Sequence, residues 1–316
     1  MSAAVRFPNI TGRLGLGVGM DLPWGQEVGF TIGDHGDTIS ERMRRFFAAH
    51  RDVFRYLFLA FQPRRRNHLR AADYYQAYDA LFAASDIPVR ALHHTILNLG
   101  ATGGYDRAPI YSFTNDLVRR YRFGWVSEDL GVWSLAGKAL PYPLPPFLTT
   151  DGLAACIRNV AEAQAALAAP LVIEFPGFTE GQSFCVGDLD AFDFFREVAQ
   201  ATSTPVVLDV GHVLSYQWIR GRNGRRMFDG IERLPLDHCF ELHLSGCVIH
   251  RGRFRDLHHG VLLDEQLDML DVLLERCPQL AAVTFEDPRY TADGALVARA
   301  RPNFERLRKA VARWAA

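Results

Sequence analysis

No apolar run in this sequence approaches the ~20 residues that cross a bilayer, so a membrane-spanning helix is not expected. Charge of one sign is not in excess either: 35 Lys and Arg stand against 36 Asp and Glu, a net charge of −1. That balance gives no general attraction to nucleic acid or to an anionic membrane. Cysteine is sparse. Cys156, Cys185, Cys239, Cys247 and Cys277 form no CxxC, and their odd number argues against a complete disulfide set. A reducing cytoplasm is the expected compartment. The opening segment, MSAAVRFPNITGRLG, lacks the apolar centre of a secretory signal. Linker-like, repetitive and low-complexity stretches are missing too, so residues 1–316 are expected to form a single domain.

What is present is a rhythm of short apolar strands alternating with helical patterns. Eight strands are expected: Leu14–Gly19, Phe54–Phe61, Val89–Thr95, Trp125–Val132, Leu171–Gly177, Pro205–His212, a strand opening at Cys239, and Ala282–Pro288. Helical patterns cover Thr38–His50, Ala71–Ser85, a long segment capped near Thr150, Asp188–Ala201 and Asp264–Arg276, with a C-terminal helix broken near Pro302. The glycine-rich GLGVG of the first strand has no helix directly behind it and meets Pro23, so it is not a dinucleotide loop. Alternation of this kind means parallel strands with crossover helices, and eight units close into a (β/α)8 TIM barrel. A doubly wound open sheet would not explain why strands three to eight all end in acids or histidines.

The richest stretch is Cys239–Gly260, CFELHLSGCVIHRGRFRDLHHG. Phe240, Leu242 and Leu244 alternate with Glu241, His243 and Ser245, so the polar set shares one face. Taken alone, Glu241 and His243 read equally as an ordinary polar barrel layer. Other strand ends add His93, Glu128, Glu174, Asp209, His212 and Glu286, and the loop adds Asp256 and His258. Carboxylates buried together are costly unless paired or bound to cations. Oxygen and imidazole donors without an evident thiolate suit iron, manganese or zinc, and their number exceeds the needs of one octahedral ion, so two or three metal ions are expected. The expected ligands are His93, Glu128, Asp209, His212, Glu241, His243, Asp256 and His258, with Glu128, Asp209 and His243 at the reacting centre. Asp129, Glu174, His259 and Glu286 form a second rank, Glu174 and Glu286 as groups that orient ligand imidazoles. Beside these, His94 points away from His93 on a regular strand, Cys156 reads as core, and Trp133 and Trp218 as partial core. Trp24 also reads as partial core, and His35 and His250 as surface residues.

Six segments carry a family resemblance: His93 in HHTILNLG, Ser127-Glu128-Asp129, Glu174-Phe175-Pro176, Leu208-Asp209-Val210-Gly211-His212, Glu241-Leu242-His243-Leu244-Ser245-Gly246, and Asp256-Leu257-His258-His259-Gly260. In order and placement they resemble the multinuclear non-heme iron-dependent oxidative enzymes typified by the methanobactin-biosynthesis barrel. The resemblance implies two or three iron ions (Fe2+/Fe3+), dioxygen as co-substrate and a ribosomally synthesised precursor peptide as substrate, oxidised in side chain or backbone, often at cysteine. It also implies a small partner protein that recognises the leader.

The chain departs from that pattern. Asp129 stands where the family has histidine, and Phe175 and His212 where it has asparagine. Strand two reads YLFLAFQ where the family has acids, and His68 is the one nearby candidate to compensate. Arginines cluster in loops after strands two, six and seven (Arg64–Arg66, Arg220–Arg226, Arg251–Arg255), and Arg220, Arg251 and Arg253 are candidates to grip an acidic peptide or a phosphate. Two other functions fit the residues: a xylose-isomerase-like or endonuclease-IV-like divalent-metal isomerase or hydrolase, and a scaffold that has lost its chemistry.

Overall fold

In the computed structural model, described for residues 4–23, 36–62, 71–179, 185–258 and 261–316, eight parallel strands close into a barrel. They are strand one (Gly15–Pro23), two (Tyr56–Gln62), three (Val89–His93), four (Val126–Asp129), five (Leu171–Glu174), six (Val206–Asp209), seven (Cys239–Leu244) and eight (Ala282–Glu286). Each pairs with its sequence neighbours, and strand one closes the ring on strand eight. Helices follow every strand, with two between strands seven to eight and the C-terminus, at Asp264–Arg276 and Arg301–Ala315. This is the (β/α)8 barrel expected from the alternation.

Strand residues divide by parity. Leu57, Leu59, Leu92, Ile173, Leu208, Leu242 and Val283 face outward into the core under the helices. Tyr56, Phe58, Ala91, Trp125, Val172, Val207 and Ala282 fill the inside. Gly19 makes room for this filling, because a Cβ there would run into the Phe58 ring. Between strands six and seven the register shifts by one residue. Phe240, packed against Trp125, and Glu241 therefore both reach the interior.

Several expected boundaries move for identifiable reasons. Strand six stops at Asp209 because its carboxylate accepts the backbone N–H of His212 and caps the helix Val210–Ile219. The proline-rich stretch before the helix at Thr150 forms a strand, Lys138–Leu144, paired antiparallel with Val132–Leu135. The arginine-studded loop after strand seven is likewise a hairpin, Cys247–His250 against Arg253–Asp256. Pro302 begins rather than breaks the last helix, since proline at the first turn forfeits no intrahelical bond. A helix at Ala108–Tyr121 joins strands three and four. Among the described residues no helix is long and apolar enough to cross a membrane.

Candidate metal centre

The C-terminal ends of strands three to eight meet at one mouth, and the side chains there are acids and imidazoles. His93, Asp129, Glu174, Asp209 and Glu286 end their strands, and His243 lies one residue before the end of strand seven. His212 comes from the first turn of the helix behind strand six, and Asp256 and His258 from the hairpin behind strand seven. They form four overlapping groups, each with donor atoms within 4.8 Å of one another: His93, Glu174 and His243; Glu174, Asp209, His243 and Glu286; Asp129, Glu174 and His212; and His212, Asp256 and His258.

Glu174 is shared by three of these groups. Its Oε2 lies 2.8 Å from Nε2 of His93 and 3.2 Å from Nδ1 of His243. Nδ1 of His243 is also 2.7 Å from Glu286 Oε1, while its Nε2 is 3.2 Å from Glu241 Oε1. His212 points Nδ1 at the Phe175 carbonyl, 2.7 Å away, and Nε2 toward Asp256 Oδ2 at 3.7 Å. A backbone carbonyl on one ring nitrogen fixes the tautomer and presents the other as a donor to a metal. His258 takes a left-handed backbone, φ 46°, with Nδ1 3.3 Å from Glu286 Oε2. It is the one imidazole of the four with substantial exposure, at 25%.

The electrostatics of this mouth are those of a site built around positive charge. Burial disfavours the charged form of His93, but the hydrogen-bonded Glu174 and nearby Asp129 outweigh it and lift its pKa to about 9. Burial likewise opposes charge on His243, and Glu174, Glu286 and Glu241 push its pKa well up. Burial lifts Asp209 to about 8, against the pull of His212, with Asp256 and Glu286 adding repulsion. The carboxylates beside His93 and His243 thus favour positive charge on these buried imidazoles. Several donor atoms are buried with no hydrogen bond among the described residues: His93 Nδ1, Asp209 Oδ2 and Asp256 Oδ2. Orphaned lone pairs converging in a buried mouth fit bound metal ions.

Of the eight residues ranked first from the sequence, His93, Asp209, His212, His243, Asp256 and His258 come together here. Glu128 and Glu241 do not enter the four groups. Parity turns Glu128 outward, where its carboxylate accepts the backbone N–H groups of Ile96, Leu97 and Asn98 at 2.6–2.9 Å. Burial lifts its pKa to about 7 despite those three bonds. Glu241 lies one layer deeper, accepting from Tyr56 Oη, Thr284 Oγ1 and Trp125 Nε1 at 2.6–2.9 Å. Burial opposes its ionisation, but His243, Thr284 and Tyr56 hold its carboxyl below the usual range. The second-ranked Asp129, Glu174 and Glu286 are inside the groups instead, and His259 lies outside the described residues, as do Trp24, His35, Arg64–Arg66 and His68. His94 turns behind the barrel onto Thr114. Cys156 and Trp133 are buried and Trp218 is half-buried, while Arg220, His250, Arg251 and Arg253 are exposed.

Sequence reasoning missed the supporting layer. Phe58 stacks on His93 and His243, with ring centroids at 5.1 and 5.0 Å. Tyr56, Trp125 and Thr284 bind Glu241 from below. The period-two reading that places Tyr56 and Phe58 on one face is the signal that could have found them.

Known proteins resemble this chain at two levels. In Paraburkholderia phytofirmans a UPF0276 protein is 28% identical over 204 residues, 65% of this chain and 63% of the relative. One from Caulobacter vibrioides is 24% identical over 227 residues, 72% and 76% of the two chains. The chain spans under two thirds of the Paraburkholderia relative and 31% of a matched Streptomyces avermitilis one. Among solved structures, mannonate dehydratase from Streptococcus suis superposes with a TM-score of 0.51 at 12% identity, covering 95% of each chain, a likeness of fold alone. The family of RiPP precursor modification enzymes MbnB/TglH/ChrH, which act on ribosomally synthesised and post-translationally modified peptides, matches residues 67–301. With about three quarters of its length matched, strands three to eight and the candidate metal centre included, this chain belongs to the MbnB/TglH/ChrH family.

Proposed function

We propose that the protein is a multinuclear iron-dependent oxidase that modifies a ribosomally synthesised peptide at the expense of dioxygen. The observation that carries this reading is the convergence of four imidazoles and five carboxylates, several with orphaned buried donor atoms, in the mouth of a barrel of this family. Histidine and carboxylate donors suit ferrous and ferric iron. The residues that would hold it are His93, Asp129, Glu174, Asp209, His212, His243, Asp256, His258 and Glu286. Because the four groups share Glu174, His212 and His243, they serve two or three ions rather than four. When bound, iron supplies the redox-active centre through which electrons leave the peptide and reduce dioxygen.

The protein's own part is orientation and exclusion. Glu241 and the Phe175 carbonyl fix the rings of His243 and His212. Phe58, Trp125 and Tyr56 close the barrel beneath the donors and keep water out from below. Arg220, Arg251 and Arg253, exposed on elements bordering the mouth, take an acidic part of the peptide. A small partner protein recognises the leader, and a reducing cytoplasm suits the free thiols.

The test is direct. Protein purified without oxygen is assayed for metal, then incubated with a candidate precursor peptide with and without oxygen, and the peptide is weighed. A mass change that requires both iron and oxygen is expected. Anaerobic turnover with magnesium or zinc replacing iron would retire the oxidase in favour of a divalent-metal hydrolase or isomerase.

A further inference from the structure

The hairpin behind strand seven brings a thiol into the mouth. Cys247 and Asp256 are directly opposite one another in its antiparallel register, so their side chains share a face. Both are buried, at 5% and 2% exposure, while the residues toward the turn, Ile249 to Arg253, are exposed. Asp256 spends Oδ1 on the Ser245 hydroxyl, 2.9 Å away, and its Oδ2 has no hydrogen bond among the described residues. Asp209 Oδ2 is in the same condition.

Gly211 shows how closely these groups gather. A Cβ at that position would lie 2.5 Å from Asp256 Oδ2, 2.8 Å from Cys247 Sγ and 3.0 Å from Asp209 Oδ1. Only the lack of a Cβ thus lets one sulfur and two carboxylate oxygens gather this closely at the glycine. His212 Nε2 borders it, 3.7 Å from Asp256 Oδ2.

We propose that Cys247 is a metal ligand: its thiolate joins Asp209, His212, Asp256 and His258 in holding one ion of the centre, giving that ion a sulfur donor the others lack. This rests on reading the mouth as a metal centre. Ligation replaces the S–H bond by a metal–sulfur bond and releases the thiol proton to solvent, with no change of oxidation state. A soft donor added to hard carboxylates would make this ion the one most tolerant of zinc, cobalt or copper.

Cobalt(II) reports thiolate ligation by a near-ultraviolet sulfur-to-metal charge-transfer band. The metal-free full chain is titrated with cobalt. The band is expected in wild type and in Cys185→Ser, and is expected to vanish in Cys247→Ser while cobalt still binds. A band that survives Cys247→Ser, or cobalt bound by wild type without one, overturns the thiolate and leaves the metal centre standing. Failure to bind cobalt at all overturns both. Should Cys247→Ser not fold, X-ray absorption of zinc-loaded wild type decides alone. A sulfur shell at about 2.3 Å is expected, and only nitrogen and oxygen neighbours would overturn the proposal.

Discussion

The ring of Phe58 lies 5.0 Å from the ring of His243 and within 22° of parallel to it. Strand two thus meets the candidate metal centre with a flat apolar wall rather than a ligand, and the same ring braces His93. Removing it in Phe58→Ala leaves a cavity under both imidazoles. The variant should lose about 3–5 kcal/mol of stability in denaturant unfolding and retain metal less tightly on dialysis. Full stability with unaltered metal content would show the wall to be dispensable.

His243→Ala and Glu128→Gln should separate the two kinds of buried polar group. The first removes an imidazole central to two donor groups and should strip at least one ion. The second leaves the mouth intact but sets an amide NH2 against backbone N–H donors, costing about 1–3 kcal/mol with no change in metal content. Equal metal loss in both variants would place Glu128 among the ligands after all.

Gly211→Ala tests the gap in the mouth. The added methyl meets Asp256 Oδ2, Cys247 Sγ and Asp209 Oδ1 within 3.0 Å. Far-ultraviolet circular dichroism should be unchanged, since alanine suits a helix better than glycine, while metal stoichiometry falls. Unchanged stoichiometry would mean the three donors need not converge there.

Acid sensitivity should trace in part to His94. Its Nε2 donates to Thr114 Oγ1, which itself donates to the Ile110 carbonyl, and burial together with His93 drives its pKa down to about 3. The unfolded chain binds this proton near pH 6.5 and the native state near 3, so stability is full above 6.5 and is lost as pH falls between the two. Each unit in that window costs up to about 1.4 kcal/mol. Metal-free His94→Gln should show a shallower decline than wild type from pH 6.5 to 4, and parallel curves would count against this origin.

Reversing charge at the hairpin turn with Arg251→Glu and Arg253→Glu should raise KM for an acidic precursor peptide by about tenfold, roughly 1.4 kcal/mol, and leave kcat alone. The effect should shrink at high salt, as exposed charges are screened. A KM unmoved at low salt would detach these arginines from substrate binding.

The barrel was legible because its strands are apolar enough to be buried on both faces and are separated by amphipathic helices. The site was legible in location but not in rank. Three consecutive polar residues, Ser127, Glu128 and Asp129, leave parity ambiguous until the inward Trp125 is known, and Trp125 alone then selects Asp129. Glu241 shares its face with His243, so alternation could not say that one lies a layer below the other. Glu174 looked peripheral because nothing local reveals that its register partner is Asp129. Such pairings across the barrel are long-range facts, whereas strand ends are local ones.

The hairpin behind strand seven has its donors where its strands leave the barrel and its cations at the far turn. Residues inserted, deleted or exchanged around Arg251 and Gly252 leave the register of Cys247 and Asp256 untouched. Four residues of ladder therefore insulate the innermost donors from mutational drift at the outermost surface. Sequence change at the tip can be absorbed there without moving the two buried side chains at the base.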